Sequence, residues 1–326
     1  MTRDILAIGD IVTDAFIRLK EAEVHCQIDT EACKISLDFG SKIPYEYAEI
    51  AKAVGNSANA AVSAARLGLS SALLAYVGDD EEGAQCIAEL GKNNVDTSHI
   101  RTEAGKHSNY HYVLWYAADR TILVRHEAFT YDLGVIETPR WIYLSSLGSN
   151  SLPFHNQISD YLDLHPEVKL AFQPGTFQIK IGRDELKRIY ARTEIFFSNV
   201  EEAQTILGET SRDLPTLLRG IQALGPKYTV ITDQIKGAYA YDGTTMWYMP
   251  IYPGDAFERT GAGDAFSSTI MSALALDIPF VDALRWGPVN SAFVIKYVGA
   301  QKGLLTRGEL EKYLSEAPAD YHPQEM

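Results

Sequence analysis

The sequence predicts an α/β fold in which helices cover both faces of a parallel sheet. Short apolar runs rich in β-forming residues alternate with helical stretches along most of the chain, as strand–helix–strand units do. The hydrophobic content of 46%, beside 22% charged residues, is enough for a large core and excludes disordered and collagen-like chains. No repeat and no Pro/Gly-rich linker interrupts the 326 residues, so we expect one continuous domain over residues 1–326.

The elements follow from local signals. The first strand is the short apolar run 4–8, which Gly9 and Asp10 close. An alanine-rich helix is predicted over 57–67 and ends before Gly68, because glycine readily adopts the left-handed conformation of a helix C-terminus. Further strands are predicted at 72–77, 141–144, 169–172, 195–197 and 229–231. Further helices are predicted at 82–93, 154–164, 183–191, 200–207, 213–224, 262–276, 281–298 and 308–315.

Two segments depart from this alternation of strands and helices, and they predict a small inserted β-sheet, or lid. Residues 110–116 and 121–126 are β-rich runs that form a hairpin around 117–120, and residues 15–50 contain alternating stretches such as 34–39. The lid therefore covers approximately 15–50 and 107–128. Its apolar side chains Val113, Trp115 and Ile122 need a cover, from bound substrate, from the rest of the lid or from a second subunit in a homodimer. The alternative is that these strands extend the main sheet.

The charge balance argues against nucleic-acid and membrane partners. The chain carries 29 Lys and Arg against 43 Asp and Glu, a formal net charge of −14, whereas binding to phosphate-rich surfaces depends on basic residues. No apolar run reaches the roughly 18 residues of a membrane span, and the first ten residues do not resemble a signal peptide. Three sparse cysteines without a CxxC pair indicate a reduced, cytoplasmic protein.

One glycine-rich segment carries a specific chemical signal. Residues 260–266 read Thr-Gly-Ala-Gly-Asp-Ala-Phe and open an apolar helix. Backbone N–H groups and the positive end of a helix dipole make such a turn an anion-binding site. Asp264 lies in the first helical turn, where a carboxylate favours its ionised form and can accept a proton from a hydroxyl group. The alternative is an ordinary charged first-turn residue beside a glycine-rich turn.

A second polar group is predicted at the carboxyl ends of strands, where open α/β sheets bind ligands. Residues 9–14 follow the first strand, and residues 54–59 open the alanine-rich helix. Asp14, Asn56 and Asn59 can together donate and accept hydrogen bonds with several hydroxyl groups, as a polyol requires. Taken alone, Asn56 also suits the N-cap of that helix.

These motifs together resemble the ribokinase (PfkB) family of carbohydrate and nucleoside kinases. The family's DTxGAGDxF signature appears at 258–266 as Glu-Arg-Thr-Gly-Ala-Gly-Asp-Ala-Phe, and its GGxxxN signature at 54–59 as Val-Gly-Asn-Ser-Ala-Asn. An NxxE motif stands at 199–202. Residues 232–238 resemble the family's nucleotide loop, and residues 290–300 its final nucleotide-side helix. The five motifs lie between residues 54 and 300.

The resemblance implies a ribokinase-like, Rossmann-type αβα sandwich with a β-sheet lid. It implies a phosphotransferase that moves the γ-phosphoryl group of ATP to a primary alcohol, with Asp264 as the base. The amides that would hold the phosphoryl group belong to Gly261, Ala262 and Gly263. The residues that would hold the sugar are Asp14, Gly55, Asn56 and Asn59. The ATP site would be lined by Asn199, Thr232, Gly237 and Asn290, with Glu202 holding Mg²⁺ through water.

The sequence departs from the family signatures at some positions, and alternative functions stay open at this point. Glu258 and Arg259 replace the usual Asp-Thr pair, which puts dependence on a monovalent cation in doubt. A nucleoside acceptor could stack on lid aromatics such as Tyr110 and Tyr112. A phosphorylated sugar could pair with lid arginines, Arg120 and Arg125. A non-catalytic binding protein is a more distant alternative, because such a protein would be expected to lack Asp264.

Overall fold

The computed structural model describes residues 3–26, 33–116 and 119–326. The strands are β1 (Ile5–Ile8), β2 (Val12–Leu19), β3 (Glu23–Cys26), β4 (Cys33–Ser36), β5 (Tyr45–Val54), β6 (Ser71–Gly78), β7 (Ile100–Glu103), β8 (Asn109–Tyr116), β9 (Asp119–Arg125), β10 (Trp141–Leu144), β11 (Lys169–Phe172), β12 (Thr193–Asn199), β13 (Tyr228–Thr232), β14 (Ala238–Tyr241), β15 (Met246–Met249) and β16 (Gln324–Glu325). The helices are α1 (Asn56–Arg66), α2 (Glu81–Lys92), α3 (Leu152–Leu164), α4 (Thr176–Ile181), α5 (Lys187–Arg192), α6 (Val200–Leu207), α7 (Leu214–Gln222), α8 (Ala262–Ala275), α9 (Phe280–Ala283), α10 (Trp286–Val294) and α11 (Arg307–Ser315).

A ten-stranded sheet forms the body, in the order β16-β15-β14-β13-β12-β11-β10-β1-β6-β7. The strands from β13 to β7 in this order are parallel, and β14 to β16 add an antiparallel edge. Along β1 the side chains alternate between two cores: Ile5 packs with α1 and α8 on one face, and Leu6 packs with α3 and α6 on the other. The predicted αβα sandwich is therefore confirmed.

The predicted helix over 281–298 is wrong as one element. The structure has two helices there, α9 and α10, with a break between Ala283 and Trp286. Pro288 explains the break, because proline has no N–H and its ring clashes with the carbonyl group four residues earlier, that of Leu284. The sequence pattern also missed the hairpin of β14 and β15, although Asp242-Gly243 between them is a strong turn signal.

A separate four-stranded sheet, with the order β5-β2-β8-β9, forms the lid. The alternative that these strands extend the main sheet is wrong. The segment over 34–39 was expected to contribute to this sheet, but β4 pairs only with β3 in a two-stranded ribbon. The β8–β9 hairpin is present, and residues 117–118 of its predicted turn lie outside the described residues.

The body of the same chain covers most of the lid's predicted apolar face. Val113 and Trp115 are buried and form a small core with Phe16 and Val298, the last of which follows α10. Ile122 on the edge strand β9 remains 41% exposed. Among the described residues, no helix combines the length and apolar character that crossing a bilayer needs.

Association of two chains through the lid stays a prediction. The residues that remain exposed on the outer face of β8 and β9 include Tyr112 and Leu123, and a second lid would remove them from water. We expect light scattering to give the mass of two chains, and Leu123→Ser to shift the protein towards one chain. A mass of one chain at every accessible concentration would remove this homodimer.

Candidate active site

The glycine-rich turn lies where α8 begins, at the carboxyl edge of the main sheet. Gly261 is the N-cap and has φ 80°, in the left-handed region. A Cβ atom at this position would lie 2.3 Å from the Cβ of Ala300, so only glycine fits. The first N–H groups of a helix have no partner inside it and can bind an anion. Of the three predicted anion-binding amides, that of Ala262 already donates to the carbonyl oxygen of Arg259 at 3.3 Å.

Three side-chain amides converge on the carboxylate of Asp264. The Nδ2 atom of Asn56 donates to Oδ1 at 2.7 Å, and that of Asn59 donates to Oδ2 at 2.8 Å. A third donor, Nε2 of Gln173, lies 3.2 Å from Oδ1. The structure thus brings the predicted residues Asn56 and Asn59 to Asp264, which lies more than 200 positions later in the chain. Sequence reasoning missed Gln173, whose only signal is its place directly after the buried strand β11.

Burial raises the pKa of Asp264, the amide donors lower it, and the nearby carboxylate of Asp14 raises it further. The sequence-based expectation was that the helix start favours the ionised form, and the net effect is the opposite. Desolvation of the carboxylate outweighs the hydrogen bonds here. A raised pKa makes the ionised carboxylate a better proton acceptor near neutral pH.

Asn56 points into this site because the chain turns sharply before α1. Gly55 is the N-cap, with φ 112°, and a Cβ atom there would lie 2.7 Å from the carbonyl oxygen of Asp10. Asn56 is the first residue of the helix, so its alternative interpretation as an N-cap is wrong. Its Oδ1 atom accepts a hydrogen bond of 2.8 Å from the hydroxyl group of Ser146, which fixes the amide with its nitrogen towards Asp264.

Two aspartate–histidine pairs line the neighbouring wall. Asp14 on β2 lies opposite His111 on β8, with Oδ1 and Nδ1 3.2 Å apart. His126 donates from Nε2 to Asp10 at 2.6 Å, and the hydroxyl group of Tyr131 donates to both oxygens of Asp10, at 2.8 and 2.9 Å. Of these five residues, sequence reasoning named only Asp14 as a binding residue. Residue alternation shows which lid residues share a face, but it cannot show what that face covers.

A cavity of about 140 Å³ adjoins Asp264 on the other side. It lies between the glycine-rich turn, the ends of β12 and β13, and the start of α6. Its lining residues are Gln173, Phe197, Ser198, Asn199, Glu202, Thr232, Gly263, Phe266 and Ser267. Gln173 connects this cavity with Asp264, since its Oε1 atom accepts from the hydroxyl group of Ser267 at 2.7 Å while its Nε2 atom donates to the carboxylate of Asp264.

The NxxE motif is a capping box at the start of α6. The N–H of Glu202 donates to Oδ1 of Asn199 at 2.8 Å, and the N–H of Asn199 donates to Oε2 of Glu202 at 2.9 Å. Burial raises the pKa of Glu202, and the charge of Asp264 adds to the increase. No group of three or more His, Cys, Asp or Glu that could hold a metal occurs among the residues described. One carboxylate beside this cavity still fits Mg²⁺, which keeps several waters.

The residues predicted to line the nucleotide site divide into two groups. Asn199 and Thr232 line the cavity, and Gly237, with φ 96°, closes the loop after β13 by accepting a hydrogen bond from the N–H of Asp233. A Cβ atom at Gly237 would lie 2.5 Å from the carbonyl oxygen of Met249, so the loop needs glycine.

Asn290 does not line the cavity. Its side chain is fully buried, donates to the hydroxyl group of Thr269 at 2.8 Å and accepts from the N–H of Leu305 at 2.9 Å. Both ends of the amide are therefore used to join α10 to its neighbours. The predicted contact with ATP is corrected to a structural role for this residue.

Comparison with known proteins identifies the family. A family model described as pfkB family carbohydrate kinase matches residues 51–307. The chain belongs to this family. The ribokinase of Bacillus subtilis is 25% identical over 268 residues, which cover 80% of this chain and 87% of the relative. The cytidine kinase of Thermococcus kodakarensis is 28% identical over 253 residues, which cover 75% and 88%.

The fold agrees with this assignment. The structure of Arabidopsis thaliana ribokinase, in complex with ribose and ATP, superposes with a TM-score of 0.80 at 17% identity. The superposition covers 96% of this chain and 99% of the ribokinase chain. Members of the family are kinases that act on hydroxyl groups of sugars or nucleosides. The chain is accordingly an enzyme and a phosphotransferase, as the sequence predicted, and the non-catalytic alternative is wrong.

Proposed function

We propose that this kinase transfers the γ-phosphoryl group of ATP to a primary hydroxyl group of a sugar, with Asp264 as general base. The observation that carries the proposal is the position of Asp264. Its carboxylate accepts hydrogen bonds from Asn56 and Asn59 and lies close enough to Asp14 for the charge of Asp14 to act on it. Gln173 connects it to the cavity beside the glycine-rich turn. An acceptor beside these polar residues and a donor in the cavity would meet at this carboxylate.

On the acceptor side, the amides that now donate to Asp264 are placed to hold a hydroxyl group instead. Asn56 and Asn59 can donate to a sugar oxygen while their own oxygens stay bonded to Ser146 and Gln301. The acceptor hydroxyl group then donates its hydrogen bond to the carboxylate of Asp264. As the oxygen attacks phosphorus, Asp264 takes the proton, and its raised pKa matches this task.

On the donor side, the start of α8 would stabilise the transferring group. The N–H groups of Gly261 and Gly263 and the positive end of the helix dipole are in place before the reaction, so no reorganisation is needed as negative charge develops. Asn199 and Glu202 would hold Mg²⁺ through water. When bound, that ion neutralises charge on the phosphates. Thr232 and Gly237 would line the rest of the ATP site.

The lid favours a sugar over a nucleoside. Tyr110 and Tyr112 lie on the lid face directed away from Asp14 and His111. Trp115 belongs to a small core and packs edge-on against Phe257. These aromatic rings therefore do not offer the stacking surface that the nucleoside alternative requires. The similarity to a cytidine kinase keeps that alternative as the second candidate.

The proposal is tested by an ATP-consumption screen of the purified protein. The panel contains pentoses, hexoses, sugar phosphates, sugar acids and nucleosides. We expect a sugar to give the highest kcat/KM and the product to carry phosphate on a primary carbon, as ³¹P–¹H NMR would show. Turnover with a nucleoside alone would favour the second candidate, and phosphorylation at a secondary hydroxyl group would contradict the assignment.

Glu202→Gln should weaken the response of the rate to Mg²⁺ and lower kcat by about 10–100-fold, the usual cost of losing a group that orients metal ligands. Glutamine keeps the capping box, so the melting temperature should not fall. Glu201→Gln is the matched control, because Glu201 is exposed and pairs with Arg212 at 2.7 Å. An unchanged Mg²⁺ dependence in Glu202→Gln would refute the metal role of this motif.

A further inference from the structure

The amide of Gln173 holds the carboxylate of Asp264 from the side of the cavity. Its Nε2 atom lies 3.2 Å from Oδ1 of Asp264, and Gln173 also lines the cavity. The other two amides on this carboxylate belong to Asn56 and Asn59, which the proposed function uses to bind the acceptor hydroxyl group. Of the three amides, that of Gln173 therefore stays on Asp264 when an acceptor is bound.

Two hydroxyl groups fix the orientation of this amide. Those of Tyr143 and Ser267 both donate to Oε1 of Gln173, that of Ser267 at 2.7 Å. Because Oε1 accepts these hydrogen bonds, the Nε2 atom must point the other way, towards Asp264. Tyr143 is fully buried, and burial and the charge of Asp264 hold the pKa of its hydroxyl group well above the usual range. Tyr143 therefore keeps its proton and remains a donor.

The network around Gln173 joins three elements of the main body. Tyr143 lies on β10, Gln173 follows the neighbouring strand β11, and Ser267 lies in the second turn of α8. The hydroxyl oxygens of Tyr143 and Ser267 are 2.7 Å apart, and that of Ser267 lies 2.8 Å from the carbonyl oxygen of Gly263. None of these four residues belongs to the lid, so the network is in place whether or not the lid closes over an acceptor.

Ionisable groups from other elements also face Asp264. Burial and the charge of Asp14 on β2 raise the pKa of Asp264, whereas the hydrogen bonds of the three amides lower it. Burial is the main cause of the raised pKa values of Glu202 on α6 and of Tyr143, and the charge of Asp264 adds to both. Like charges on Asp14 and Glu202 therefore disfavour the ionised base. With the two asparagines turned to an acceptor, Gln173 supplies the amide donor that opposes this repulsion.

We propose that Gln173 is a positioning residue, which keeps the carboxylate of Asp264 in its reactive orientation while the acceptor is bound. The hydroxyl groups of Tyr143 and Ser267 in turn keep Gln173 in place. The proposal deepens the proposed function and rests on it, because it takes Asp264 as the base. Gln173 exchanges no proton itself: the acceptor hydroxyl group gives its proton to Asp264 as its oxygen bonds to the γ-phosphorus and ADP leaves. The role is the same for a sugar and for a nucleoside, since it concerns the base rather than the acceptor.

Replacing Gln173 by leucine removes the donor at nearly the same side-chain size. We expect the single-turnover rate of phosphoryl transfer to fall by about 10–100-fold, because a small displacement of a catalytic group has an effect of this size. The acid limb of the rate–pH profile should move up by about one pH unit, because the lost donor no longer lowers the pKa of Asp264. A purely structural role of Gln173 would lower the rate without this shift.

Gln222→Leu is the matched control. Gln222 also donates from Nε2, to the carbonyl oxygen of Lys227 at 3.3 Å, just before β13 and at the opposite edge of the main sheet. We expect its rate and its pH profile to equal those of the original protein. A Gln173→Leu profile that coincides with that of Gln222→Leu, with both variants folded by their melting temperatures, overturns the inference.

Combining Gln173→Leu with Asp264→Asn shows whether Gln173 acts through the base. We expect the residual rate of Asp264→Asn to fall no further, because no base is left to position. A further loss as large as in Gln173→Leu alone would mean that Gln173 acts on the nucleotide, which overturns this inference and leaves the proposed function in place. Turnover with nucleosides alone, together with the absence of a further loss, would contradict the proposed function and support the role of Gln173.

The Tyr143→Phe variant tests the network while both Gln173 and Asp264 stay in the chain. The change removes one of the two donors to Oε1 of Gln173, so the amide can turn. We expect the single-turnover rate to fall about 2–10-fold, the usual effect of one hydrogen bond between neutral groups, with a smaller upward shift of the acid limb. Tyr190→Phe is the control, since Tyr190 is also buried but packs in the core on the other face of the main sheet. Equal rates and pH profiles in these two variants would overturn the fixing of Gln173 by Tyr143.

Discussion

Replacing Asp264 by asparagine should lower kcat by about 10²–10⁴-fold, the usual contribution of a general base. Asparagine has nearly the same size, but it cannot take the proton of the acceptor hydroxyl group at neutral pH. Its Nδ2 group would also face Nδ2 of Asn56 or Asn59, which donate to Asp264 now. The KM for ATP should change little, because the amides at the start of α8 remain. The measurement is kcat at saturating acceptor, together with ATP affinity.

The melting temperature distinguishes lost chemistry from a lost fold. Burial raises the pKa of Asp264, so the folded state disfavours its ionised form, and stability is lost as the pH rises through the raised pKa. The side chain of the Asp264→Asn variant cannot ionise and avoids this loss, so the variant should melt close to the original protein at neutral pH. Asp277→Asn is the matched control, since Asp277 is exposed, has φ 61° and tolerates asparagine. An Asp264→Asn variant that turns over within a few-fold of the original would remove Asp264 from the role of base.

The parts of the site that the sequence predicted are those encoded in short contiguous motifs. Asp264, Asn56 and Asn59 lie at helix starts, where glycine-rich turns and polar first-turn residues are visible in the chain. Their convergence follows from the fold, since α1 and α8 pack against each other on one face of the main sheet. A family resemblance could give the residues, but only the packing shows that both amides donate to the same carboxylate.

The residues that the sequence missed have no local pattern. Gln173 is one polar residue after a four-residue strand, and its role depends on which helix begins beside it. His111 and His126 lie on two sides of a hairpin, and they meet the aspartates only because β2 pairs in parallel with β8. Asn290 shows the opposite error: a family motif indicated a ligand contact, whereas the buried amide is used inside the protein.

Apolar runs in the sequence located several elements of the fold closely. Strands β10 and β11 have the predicted bounds, and α8 differs by one residue at its end. The short helix α4 and the strands β7 and β14 to β16 were not predicted, because elements this short give too little periodicity to separate helix from strand.

Substitutions of two glycines in the glycine-rich turn should separate structural from chemical roles. Gly263→Ala adds a methyl group that would meet no protein atom within 4 Å, and residue 263 lines the cavity. The fold should therefore keep its stability or gain about 0.5–1 kcal/mol, since alanine suits a helix better than glycine. The kcat/KM for ATP should nevertheless fall by about 10²–10³-fold, comparable to the loss of one donor to a transition-state oxygen, because the methyl group occupies the space of the phosphoryl group.

Gly261→Ala should fail for a different reason. The backbone at residue 261 is left-handed, and an added Cβ atom would lie 2.3 Å from the Cβ of Ala300. Both effects destabilise the folded state. We expect a loss of about 1–3 kcal/mol in the free energy of unfolding as well as a loss of activity. Gly308→Ala in α11 is the control, because a Cβ atom there also meets nothing within 4 Å and the site is distant. Denaturant unfolding and ATP turnover of all three variants decide the assignment. If Gly263→Ala is as active as Gly308→Ala, the transferring phosphoryl group does not bind at the start of α8. The anion site would then lie elsewhere and not beside Asp264.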